Sequence, residues 1–86
     1  MRVARIAQVC GPWCQSEEGR PYWWAYVLVA LEDVVGMRLE RQPASVRGLA
    51  ADLFLSPTLT VGIRVAPGPQ PPPPLTPGDV IEWEAP

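Results

Sequence analysis

The hydrophobic pattern is densest over residues 21–31, Pro-Tyr-Trp-Trp-Ala-Tyr-Val-Leu-Val-Ala-Leu, which hold both tyrosines and two of the four tryptophans. Aromatic and β-branched residues at this density favour a pleated strand. A side-chain period of two puts Trp23, Ala25, Val27, Val29 and Leu31 on one face and Tyr22, Trp24, Tyr26, Leu28 and Ala30 on the other. Both faces are apolar, so a central strand is predicted, with one face in the core and the other covered or available for binding. Upstream, residues 2–10 read as a strand, with a bulge between Val3 and Ile6 resetting the alternation, and Gly11-Pro12 ends it.

Downstream, Val35, Met37 and Leu39 alternate with Arg38 and Glu40, which predicts a third strand over 34–41. A turn at Glu32-Asp33 would join it to the second strand as an antiparallel hairpin. With Val35, Met37 and Leu39 in the core, Tyr22, Trp24 and Tyr26 look outward. Ser45 is a suitable helix N-cap, and Val46, Leu49, Ala50, Leu53 and Phe54 follow the spacing of a core-facing helical stripe until Ser56-Pro57. Residues 58–66 alternate again, with Leu59, Val61, Ile63 and Val65 pointing in and Arg64 out. Residues 67–77 contain seven prolines and read as a stiff, extended loop without ladder hydrogen bonds. Residues 80–84 form a last strand, with Ile81 and Trp83 inside and Glu82 and Glu84 outside.

The predicted fold is mainly β with one helix, in the order β-β-β-α-β-β, within a single small domain over 1–86. This order resembles that of the five-stranded OB barrel. The two long loops, 11–21 between strands one and two and the Pro-rich 67–78 between strands four and five, fall where such barrels carry their binding loops. An SH3-like barrel or an open α+β sheet would give a similar order.

Composition sharpens this picture in three respects. Eighty-six residues, 48% apolar and 19% charged, suit one small globular domain whose modest core leaves room for a partner or homo-oligomer. A net charge of −2 argues against strong non-specific binding to a polyanion, although Asp79, Glu82 and Glu84 concentrate the acid near the last strand. Nothing at the start reads as a signal peptide, and the longest charge-free apolar run is too short for a bilayer, so a soluble, cytoplasmic protein is expected.

Candidate chemistry is sparse. The chain has no histidine, and Cys10 and Cys14 alone cannot complete a structural zinc site. Two reduced cysteines are expected, with Cys10 in the core. Without a Walker loop, a dinucleotide fingerprint or a Gly-x-Ser-x-Gly, neither an enzyme nor a bound cofactor or metal is expected. The best functional candidate is the aromatic stripe Tyr22, Trp24 and Tyr26, joined by Trp13 and Arg20 from the first loop and by Arg38 and Arg64. Rings interleaved with guanidinium groups suit the unstacked bases of single-stranded nucleic acid. They suit a protein partner as well, since Trp, Tyr and Arg dominate interface hot spots. The expectation is a non-catalytic binding module or an accessory subunit whose rings a larger protein covers. The remaining alternative has the rings packed beneath the proline loop.

Overall fold

Strands β1 (Arg2–Val9), β2 (Cys14–Gln15), β3 (Trp23–Val29), β4 (Gln42–Val46), β5 (Leu49–Leu55), β6 (Val61–Val65) and β7 (Val80–Trp83) carry the fold, with one 3₁₀ turn at Leu31–Val34. The computed structural model describes residues 1–16, 22–65 and 70–84. All pairings are antiparallel, in the order β1-β7-β4-β5-β6-β3-β2, and a further β1–β3 ladder closes six of these strands into a barrel. Strands β4, β5 and β6 are joined by hairpins, and β7 returns by a long connection to lie beside β4, which is a Greek key. The barrel class agrees with the sequence. The strand count is six rather than five, and the predicted helix is absent.

Residues 42–55 form a hairpin where the helix was expected. Arg47 and Gly48 both have positive φ, 52° and 79°, the two left-handed residues of the tight turn that matches strand twist. Val46 pairs with Leu49 across this turn, and Leu53 pairs with Gln42. A two-residue turn places residues three apart directly opposite each other, so Val46 and Leu49 imitate a helical step. Ser45 is a strand residue paired with Ala50 and caps nothing.

The third predicted strand is also absent. Residues 31–41 instead cross one end of the barrel, leaving Val35 and Leu39 exposed at 64% and 67% while Met37 is buried. Gly36, with φ of 91°, breaks the alternation. A side chain there would meet the Arg2 guanidinium, which donates to the Val35 carbonyl at 3.3 Å. The hairpin expected at Glu32-Asp33 therefore does not form, and β3 pairs with β1, β2 and β6.

Two smaller corrections concern register. The β1 irregularity lies between Ile6 and Gln8, not between Val3 and Ile6. Without it Gln8 and Cys10 would continue the inward set of Ala4 and Ile6. With it Val9 packs against the core, and Cys10 is exposed rather than buried. Leu59, expected inside β6, is half exposed in the turn before it, at φ 65°. Ser56 Oγ organises that turn by accepting from the Thr58 and Thr60 amides at 3.3 and 3.2 Å.

The barrel interior is filled by Ala4, Ile6, Ala25, Val27, Val46, Leu53, Val61, Ile63, Val65 and Ile81, with Trp83 toward one end. Met37 seals that end beneath the 31–41 crossing, and Leu75 is buried from the proline segment.

Candidate functional site

The pleat of β3 sorts the aromatic stretch into two environments. Ala25 and Val27 are buried in the barrel, whereas Tyr22, Trp24 and Tyr26 are half-buried and belong to the outward set. The sequence assigned these faces correctly through the wrong neighbour. The strand that fixes them is β6, whose Val61, Ile63 and Val65 face inward opposite Val27, Ala25 and Trp23.

Outside, Trp24 lies opposite Arg64 and Tyr26 opposite Gly62, while Asp52 and Phe54 of β5 flank the same two β6 residues. The Phe54 ring covers Gly62 so closely that a Cβ there would come within 2.2 Å of it. This bare backbone lets Phe54 approach Tyr26, with ring centroids 6.0 Å apart and edge to face. Trp24 and Tyr26 meet likewise at 5.4 Å. The Arg64 guanidinium sits 4.6 Å from the Tyr22 ring centroid and donates to Asp52 Oδ2 at 3.2 Å. Arg41 pairs with the same carboxylate at 3.6 Å. Tyr22, Arg41, Asp52 and Arg64 line a shallow notch of about 350 Å³ beside the rings.

The structure thus gathers Tyr22, Trp24, Tyr26 and Arg64 on one face. Arg38 stands exposed in the crossing 31–41, outside the strands of that face. Arg20 lies outside the described residues. Trp13 belongs to the opposite side of β3: it packs against the core and lines a cavity with the inward residues Trp23 and Ala25. Its indole Nε1 donates to the Pro73 carbonyl at 3.0 Å, so the proline segment covers Trp13 and Trp23 rather than the outer stripe. Phe54, Asp52 and Arg41 join the face although the sequence did not mark them. Read as a strand, the alternation Asp52-Leu53-Phe54 would have placed the first and third outside.

Glu82 and Glu84 are exposed, and β7 sits three strands away from β6 around the barrel, across from the aromatic face. Cys10 and Cys14 carry free thiols. Among the described residues, no group of three His, Cys, Asp or Glu side chains could hold a metal, and no helix is long and apolar enough to cross a membrane. No protein-family model matches this chain, nor does any curated protein or solved structure.

Proposed function

We propose that this barrel is a non-catalytic binding module whose contact surface is the outer face of β3, β6 and β5, and that its ligand is single-stranded nucleic acid. The observation that carries this is the joint placement of Tyr22, Trp24, Tyr26 and Phe54 with Arg64 and Arg41, with the acidic last strand across the barrel. Half-buried rings offer flat faces to unstacked bases, each stack being worth roughly 1–3 kcal/mol. The notch between the two arginines is placed to receive a phosphate, at the cost of loosening their pairing with Asp52. That carboxylate leaves little net positive charge, so stacking supplies most of the affinity and the salt dependence is shallow, with a log–log slope of about −1.

The test is fluorescence anisotropy of a labelled oligothymidylate titrated with the protein at low and moderate salt. Saturable micromolar binding is expected, weakened about tenfold or more in Trp24→Ala and in Arg64→Ala, with both variants folded. Absence of binding at low salt would end the nucleic-acid reading. The second reading, an accessory subunit covered by a larger protein, draws on Phe54 over Gly62, which makes the apolar surface continuous from Trp24 to β5. Affinity capture with wild type and Trp24→Ala side by side distinguishes it, since a partner bound through this face is lost with the ring.

A further inference from the structure

At the barrel end where β4 turns into β5, the proline segment is anchored by the buried Leu75 while residues 71–74 wall a half-open cavity. A cavity of about 670 Å³ is bounded by Trp13 and Trp23, by Val9 and Ala25, and by residues 71–74 with Leu75. This volume lies within the range of small-molecule sites, roughly 300–1,000 Å³. It is separate from the outer aromatic face, because Trp23 and Ala25 point to the opposite side of β3 from Trp24 and Tyr26.

Three features keep the cavity from collapsing. Consecutive prolines hold φ fixed, so the wall cannot fold inward as a flexible loop would. The wall is also tied at both sides: Trp13 Nε1 donates to the Pro73 carbonyl, and the Arg47 guanidinium donates to the carbonyls of Pro73 and Pro74 and pairs with Asp79. Finally, Ala25 presents only a methyl group beside Trp23, which leaves the barrel side of the cavity unfilled.

The lining limits what can bind. Among the described residues no lining side chain carries a charge, and the four prolines have no N–H, so the proline wall presents rings and carbonyl acceptors and adds no donor of its own. A carboxylate buried there would lose its hydration without gaining a donor from the wall. A flat ring, by contrast, can lie against indole and pyrrolidine faces, and a hydroxyl or N–H on it can donate to a wall carbonyl. We propose that this cavity binds a small molecule presenting a neutral, flat aromatic ring with a hydrogen-bond donor, of the phenol or indole type.

The test uses the full chain, with the indole N–H signals of its four tryptophans followed by two-dimensional NMR. On titration with 2-naphthol, saturable shifts are expected at Trp13 and Trp23, with Trp24 and Trp83 unmoved. The matched anion 2-naphthoate should bind at least about tenfold more weakly, and Trp13→Ala should weaken 2-naphthol by a similar factor. If Trp13→Ala loses its dispersed spectrum, Ala25→Val, which narrows the cavity from the barrel side, should show the same loss. Absence of shifts at millimolar 2-naphthol, shifts centred on Trp24, or equal binding of the naphthoate would each overturn the proposal. None of these outcomes depends on whether the outer face binds nucleic acid.

Discussion

Gly62 is where one atom decides the shape of the outer face. Its hydrogen leaves space that the Phe54 ring occupies, and the ring reaches Tyr26 across the gap. Gly62→Ala must push the ring aside, because the new methyl would sit 2.2 Å from it. We predict a loss of about 1–3 kcal/mol in denaturant unfolding. The Phe54→Ala, Gly62→Ala double variant should show a smaller penalty for the methyl than the single variant does, because the clash is gone; additive losses would disprove the account. Leu53, fully buried on the other side of the same strand, offers a contrast. Leu53→Ala leaves a cavity in the barrel and should cost about 2–5 kcal/mol by the same measurement, without disturbing the outer rings. Neither partner of the Gly62–Phe54 contact is visible locally in the sequence, since it requires β5 and β6 to be aligned first.

The β4–β5 hairpin shows what was legible at the scale of elements and what was not. Strands β1, β3, β6 and β7 could be read because their alternation or apolar density is a local property. The hairpin could not, because its turn breaks a local rule: Arg47 occupies a left-handed conformation in which arginine is uncommon. What holds it there is remote. Its guanidinium engages Pro73, Pro74 and Asp79, about a third of the chain away. The crossing 31–41 misled for the opposite reason, its alternation arising without a ladder to support it. For the outer face, Tyr22, the two outward rings of β3 and Arg64 were legible, whereas Arg41, Asp52 and Phe54 depend on the hairpin that the helical spacing concealed. Arg47→Asn should ease the turn while releasing the proline wall. Global stability is expected to change by less than about 1 kcal/mol, while the Trp13 indole N–H exchanges with solvent severalfold faster. Unchanged exchange would show that Trp13 alone holds the segment. Gly48→Ala, where φ is 79° and no neighbour crowds the site, should cost about 1–2 kcal/mol through backbone strain alone.

For the whole molecule, the consequence of closure falls on synthesis. The four residues of β7 lie between β1 and β4, two strands that otherwise have no partner on those sides. A nascent chain therefore carries two open strand edges, together with the apolar residues of β3, until β7 has left the ribosome. Open edges next to apolar strands invite pairing with other chains. A chain ending at residue 78 is expected to sediment as aggregate on expression, and supplying residues 79–84 as a separate peptide during refolding should recover part of it as monomer. The barrel thus cannot close before β7 is made, and any pause in translation upstream of that strand leaves both edges open.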